Sequence, residues 1–465
     1  MSDHYDLIVR GATVVTPAGP IHADIAAEAG RIVRIRPEIP GTASETVEAR
    51  GLHVIAGIID SHVHFNEPGR AHWEGMEHGS GALAAGGGTA FFDMPLNSLP
   101  PVTDVASFAL KRAAAESSSL TDFGIWGGLV PGNVDQLEPM CDAGAVGFKA
   151  FMCDSGAEEF PPSDLATLRA GMKRAAELGM PVAVHAEDAS LARLGAAEQR
   201  ARGTDVRSWL RSRPVELELA AIRIAVDIAG ETRCALHLVH VSSPQGVMLA
   251  GDARRRGVDV SIEACPHYLL LSEEDVIRLG APAKCFPPLR PEELRLGLWR
   301  ELEACEIDTI GSDHSPAPPD MKRAGDFFAV WGGISGCQHG FGLLLSEALA
   351  RRPPEIALPH MSALFSTNVA RRFRIDRTKG RLAEGFDADM AIIDIAGEHT
   401  LSNGELLYRH RQGPYDGRKS RVRIVRTIAR GRTVYAQGRI APGATPGHLI
   451  RPSQPSEPYH RSSHA

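Results

Sequence analysis

The sequence predicts an α/β protein: a closed (β/α)8 barrel of the TIM type, joined to a small β domain assembled from both ends of the chain. Three observations carry this expectation. Between about residues 54 and 375, short and nearly continuous apolar strands alternate with Ala/Leu/Arg-rich helical segments, the pattern of parallel strands buried on both faces. Eight such strands can be counted in series, which favours a closed barrel over an open sheet. Both ends of the chain instead alternate short apolar runs with Gly and Pro turns, as β hairpins do.

Taken in order, residues 7–9, 12–15, 23–26 and 31–35 read as strands. Pro17, Gly19, Pro20, Gly30, Pro37 and Gly41 punctuate them, giving an antiparallel module over 1–55. The barrel strands fall at 54–59, 89–94, 123–129, 146–151, 182–185, 235–241, 258–263 and 307–310, within a catalytic barrel over 56–375. Residues 388–394, 422–428 and 431–435 repeat the style of the first module and complete the small domain over 376–441 as a β-sandwich. From 442 to 465 the chain is rich in Pro, Ser and His and reads as a tail with little core.

Composition narrows the function classes. Fifty Lys and Arg against 57 Asp and Glu give a net charge of −7 with no basic block. Nucleic acid and anionic membrane are therefore not expected partners, because both need clustered cations. No apolar run approaches the roughly 18 residues of a membrane span. The start carries Asp3 and Asp6 and lacks the basic and apolar regions of a signal peptide, so a cytoplasmic location is expected. Seven scattered cysteines without a CxxC pair do not form a disulfide framework or a thiolate metal site.

In such barrels chemistry belongs at the strand C-terminal ends. Strand one ends in Asp60-Ser61-His62-Val63-His64, and side chains two apart on an extended segment point the same way. Strand four carries Lys149 inside an apolar run, where an unpaired ammonium is costly. His185 ends strand five, His240 strand six, and Asp313 follows strand eight. Singly each is weak: an HxH is often surface decoration, and a buried Lys often snorkels or pairs with a carboxylate. Together they place six candidates at one rim. Four neutral imidazoles and a carboxylate suit Zn²⁺ or a similar divalent ion, and six ligands are more than one catalytic zinc needs. Lys149 joins the set if its neutral amine has reacted with CO2 to form a carbamate that bridges two cations. The chemistry expected is metal-assisted hydrolysis, with Asp313 as the base that passes a proton to the leaving nitrogen and a cyclic amide or imide as substrate.

These residues resemble the amidohydrolase superfamily, in the branch of dihydroorotases, hydantoinases and allantoinases. Residues 67–75, Met94-Pro95-Leu96-Asn97, Cys265-Pro266-His267-Tyr268, 312–319 and 331–336 are most similar to allantoinases, as is Tyr408-Arg409-His410. The resemblance implies a barrel of the metal-dependent hydrolase type. It also implies His62 and His64 on the more buried metal, His185 and His240 on the more exposed one, carboxylated Lys149 (N6-carboxylysine) as the bridge, and Asp313 as ligand and general base. Two divalent ions per subunit follow, Zn²⁺ first, with Co²⁺ or Mn²⁺ as alternatives. Dihydroorotases place a carboxylate-binding Arg where this chain has Asn66, and an Asn where it has Phe286; hydantoinases place a Tyr where it has Asp154. These departures point to a small neutral ureide substrate and so to hydrolysis of allantoin to allantoate in purine catabolism; the resemblance, separately, implies a homotetramer. The alternatives are a hydantoinase, dihydropyrimidinase or dihydroorotase acting on another cyclic amide, or a non-catalytic scaffold.

Substrate contacts are expected from Asn97, from the main chain of Phe286 and from the Gly332-Gly333 segment around Gly333. The same Asn97 and glycines also serve purely local turn roles. His267 is read as a structural hydrogen-bonding residue. His237, at an odd offset from His240, is rejected as a ligand. Cys153 and Cys285 are read as small hydrophobes near the rim.

Overall fold

The computed structural model describes residues 4–323, 325–444 and 446–453. Barrel strand one, Ile58–Val63, pairs in parallel with Gly88–Asp93, and that with Asp122–Ile125. The third strand resumes after Trp126 as Gly127–Gly128, which pairs with Phe148–Phe151. Val182–His185, Leu236–Leu238, Val260–Ala264 and Thr309–Ile310 follow in parallel order. Val63 bridges His314 in parallel and the His64 N–H donates to the His314 carbonyl at 2.8 Å, so the sheet closes on itself.

Side chains fill the barrel, as the size of an eight-stranded cylinder requires. Ile59, Phe92, Trp126 and Ala183 are buried within it. Phe373 plugs it against Phe92, Trp126 and His237, with ring centroids 5.2, 5.2 and 5.3 Å away. Trp126 also donates from Nε1 to the Ser61 carbonyl at 3.0 Å, which ties the packed interior to the rim of strand one. Outside, helices begin on side-chain caps: Asp104, Asp164, Asp188, Asp205 and Ser243 each accept N–H groups of the first turn. Asp188 and Ser243 follow His185 and His240 closely, so these caps fix how soon each rim segment must turn into its helix.

Both chain ends meet in one nine-stranded sheet. His4–Thr16, Gly19–Glu28 and Arg31–Arg36 form an antiparallel meander. Thr42–Glu48 and His53–Ala56 then pair with the first strand in parallel. Met390–Asp394 joins antiparallel to His53–Ala56 and leads on to Arg423–Ala429, Arg432–Ala436 and Arg439–Ile440. The N-terminal module is therefore mixed rather than antiparallel. Alternation along a strand sets which side chain faces which side, but carries no information about strand direction. Leu7, Val9, Val14, Ile25, Val54, Met390 and Ile392 form the core of this unit.

Two sequence expectations change. Residues 54–56 belong to this sheet, and the first barrel strand begins only at Ile58, because the apolar run is interrupted at Gly57. The described part of the tail is packed: the Phe123 N–H donates to the His448 carbonyl at 3.0 Å, the Ile450 N–H donates to the Phe123 carbonyl at 2.7 Å, and Ile450 is buried. Polar composition hid two docked apolar residues, Leu449 and Ile450. The tail expectation for 454–465 lies outside the described residues.

Candidate active site

His62 and His64 turn to the same side of strand one. Nε2 of His62 lies 3.2 Å, and Nε2 of His64 3.4 Å, from the same Oδ1 of Asp313. Asp313 arrives after strand eight with φ +46°, and His240 after strand six with φ +42°, a left-handed backbone that costs energy for residues with a Cβ and often marks functional sites. Nε2 of His240 is 3.1 Å from Nδ1 of His185. The His62 ring stands between the two pairs, its centroid 5.5 Å from His64 and 5.4 Å from His240. Lys149 is fully buried on strand four, its Nζ has no hydrogen-bond partner, and its charge acts on His185 and His240.

Two carboxylates hold the histidines from behind. Glu263 takes His62 Nδ1 at 2.8 Å and the Ser61 hydroxyl at 2.7 Å. Glu187 takes His185 Nε2 at 2.8 Å and pairs with Arg213 at 2.7 Å. Carboxylates only accept, so each fixes a tautomer: neutral His62 presents a lone pair at Nε2, and neutral His185 presents one at Nδ1. In that tautomer His62 aims an acceptor at a carboxylate oxygen, a contact that a divalent ion between them, or a second proton on the ring, satisfies.

Burial pushes His64, His185 and His240 below the usual imidazole range, toward the neutral form that binds metal. It also pushes Lys149 down to about 8, against the opposing pull of Asp313 and Glu263. Against the cost of its own burial, His62 and His64 hold Asp313 down at about 2, so it stands as a carboxylate. Burial pushes the Cys153 thiol upward, leaving it protonated. Neutral imidazoles, one carboxylate and one orphaned buried amine together fit divalent cations. A separate cluster of Asp122, Asp387 and Asp389 is already filled by the Lys379 ammonium, at 2.8, 3.0 and 2.6 Å.

A cleft of about 470 Å³ opens over the histidines and Asp313, walled by Leu96, Phe151, Phe286 and Trp331. Among the described residues, no Arg or Lys lines it. Asn97, Phe286 and Gly333 all do. Asn97, at φ +69°, lies with Nδ2 3.3 Å from His64 Nδ1, so part of its capacity goes to that ring. The Gly333 N–H is engaged by the Lys284 carbonyl at 2.8 Å and its carbonyl accepts from Lys322 Nζ at 2.7 Å, so a further partner can use only the second lone pair of that oxygen.

Asn66 turns away to the Pro316 carbonyl at 3.4 Å, and Asp154 is exposed on its own turn. His237 lies away from the cleft and bonds Ser261 at 2.8 Å. His267 differs from the expected structural role: both ring nitrogens are buried without a hydrogen-bond partner, and burial pushes it down to about 4. Glu187 and Glu263 were not singled out from the sequence. The signal was present, since Glu263 is a carboxylate within an apolar strand, the same anomaly that exposed Lys149, and Glu187 lies two residues beyond the end of another.

The chain matches the amidohydrolase family over residues 53–434. An allantoinase of Rubrobacter xylanophilus is 49% identical over 453 residues, covering 97% of this chain and 98% of its own. An allantoinase of Deinococcus radiodurans is 48% identical over 448 residues, covering 96% of this chain and 99% of its own. Among solved structures, the L-hydantoinase (dihydropyrimidinase) from Arthrobacter aurescens superposes with a TM-score of 0.91 at 32% identity, covering 94% of this chain and 97% of that one.

Proposed function

The chain belongs to the amidohydrolase family, and from that premise we infer that it opens the hydantoin ring of allantoin by hydrolysing a ring amide to give allantoate. It is a cyclic-amide hydrolase. The observation that carries the choice of substrate is near-complete coverage of allantoinases at 48 and 49% identity. The cleft supports it, because a wall in which, among the described residues, no Arg or Lys takes part suits a ring that bears no carboxylate.

In this reading His62 and His64 hold one divalent ion, His185 and His240 a second, and Asp313 contributes to the first pair. Zn²⁺ is the expected ion. Lys149 would join the two pairs as a carbamate: its neutral amine adds to CO2, an N–C bond forms as one C–O π bond opens, and one amine proton passes to solvent water. When bound, such paired ions lower the pKa of water and polarise the amide carbonyl. Asp313 takes the proton of the attacking water and delivers it to the departing ring nitrogen. Glu263 and Glu187 keep the imidazoles in their ligand tautomers, while Phe151, Phe286 and Trp331 shield the reacting ring from bulk water. Asn97, Phe286 and Gly333 contact the substrate. The enzyme works in the cytoplasm as a homotetramer; among the described residues, no helix is long and apolar enough to cross a membrane.

A substrate panel with metal quantification tests the reading. Allantoin should be turned over far better than dihydroorotate, dihydrouracil or substituted hydantoins, with close to two divalent ions per chain. Good turnover of dihydroorotate and none of allantoin would overturn it. Folded protein with far less than one ion per chain would point to a scaffold.

A further inference from the structure

The part of the cleft wall formed by Trp331, Gly332 and Gly333 belongs to a segment without helix or strand, and two lysines hold it from behind. Lys284 is fully buried after strand seven, and its Nζ donates to the carbonyls of Phe327 at 2.7 Å, Phe328 at 3.3 Å and Val330. Lys322 Nζ donates to the carbonyls of Trp331 at 3.0 Å and Gly333 at 2.7 Å. Two side chains thus take up five main-chain oxygens between residues 327 and 333. A segment outside the regular ladders must find such partners or leave its carbonyls unsatisfied.

Three acceptors call for three N–H donors, which an ammonium has and a neutral amine lacks. The Lys284 Nζ also lies 5.2, 5.3 and 5.2 Å from the ring centroids of Trp209, Phe286 and Phe327, whose faces attract a cation. Phe286 itself lines the cleft, so one charge orients both a main-chain wall and an aromatic wall. Lys284 grips the segment a second time through its own carbonyl, which accepts the Gly333 N–H at 2.8 Å. Gly333 has little freedom to adapt: its φ is +146°, and a Cβ there would come within 2.3 Å of the Ser315 carbonyl. Among the described residues neither lysine makes an ion pair, and burial pushes both amines down to about 7. Burying cations without counter-ions costs stability. What this arrangement provides is a fixed shape for the wall.

We propose that Lys284 and Lys322 are positioning residues for substrate recognition: by gathering the carbonyls of residues 327–333 they fix Trp331, Gly333 and the Phe286 ring in the form that receives the substrate ring. The proposal rests on reading the cleft as that of a cyclic-amide hydrolase. None of the hydrogen bonds from either ammonium goes to the histidines, Lys149 or Asp313, so loss of the grip should appear in binding rather than in metal content or chemistry.

Lys284→Met and Lys322→Met keep side-chain length and remove the charge. Each variant holoenzyme is compared with the unchanged chain for metal content, kcat and KM on allantoin, and for hydrogen exchange of residues 327–333. KM should rise about tenfold or more while kcat stays within about threefold. Metal content should not change, exchange in the segment should accelerate, and Lys322→Arg should recover most of the KM. A KM within about twofold of the unchanged chain in both variants overturns the proposal, as does a fall in kcat and metal content at constant KM. Should Lys284→Met fail to fold, Lys322→Met, on a partly exposed residue, decides alone. Failure of the allantoin reading shows separately, in the unchanged chain; the same KM comparison is then made on whichever cyclic amide of the panel that chain hydrolyses.

Discussion

Lys149 and Asp313 test the chemistry most directly, because each is asked to exist in one protonation state. An amine buried without a hydrogen-bond partner and pushed down to about 8 can lose its proton and react with CO2. Lys149→Ala should therefore abolish turnover and lower metal content, and a short carboxylic acid filling the vacated space should restore part of both; full activity in the variant would refute the bridge. Asp313 is held as an acceptor at about 2. Asp313→Asn keeps the shape and removes the proton acceptor, so kcat should fall by about two to four orders of magnitude, read by steady-state kinetics on folded, metal-loaded protein. Both residues were legible in the sequence because strand ends and barrel order fix where they stand. The carboxylates behind the histidines were not: His62 and Glu263 are 201 positions apart, and only the closed barrel brings them to 2.8 Å.

At the scale of elements, the joint between sheet and barrel is a single residue. Gly57 donates its N–H to the Asp389 carbonyl at 3.0 Å and accepts the Ser366 hydroxyl at 2.9 Å, while a Cβ there would fall 2.2 Å from Thr89 Oγ1. The sequence showed strands and their periods well, but one glycine within an apolar run did not reveal that one sheet stops and the next begins there. Gly57→Ala should destabilise by about 1–3 kcal/mol through overpacking, seen as a lower apparent urea midpoint. Thr89→Ala, which removes the nearest atoms and an Oγ1 that has no partner, should recover part of that loss in the double variant. Additive destabilisation of the two changes would mean that the contact does not limit this position.

Across the whole molecule, the barrel, the returning chain and the docked tail are tied at one point. Lys379 meets Asp122 of the third barrel strand and Asp387 and Asp389 ahead of the C-terminal strands. Asp122 also accepts the His448 N–H at 2.8 Å and lies 3.1 Å from Arg430 Nε. The three carboxylates hold the Lys379 amine above its ordinary value despite the cost of burying it, so it stays charged throughout the neutral range. Sequence pattern could group the two chain ends by style, yet it could not find this knot, because its members come from four separate stretches and each alone looks like an ordinary surface charge. Removing the one ammonium leaves buried carboxylates facing each other, a change that costs about 3–5 kcal/mol in comparable buried networks. Lys379→Met should therefore lower the apparent melting temperature by about 3–5 °C and speed thermal inactivation. No member of the network lines the cleft, so kcat and metal content of the folded fraction should stay unchanged. A loss of activity without a loss of thermal stability would mean that the network acts on the site rather than on the joining of the parts.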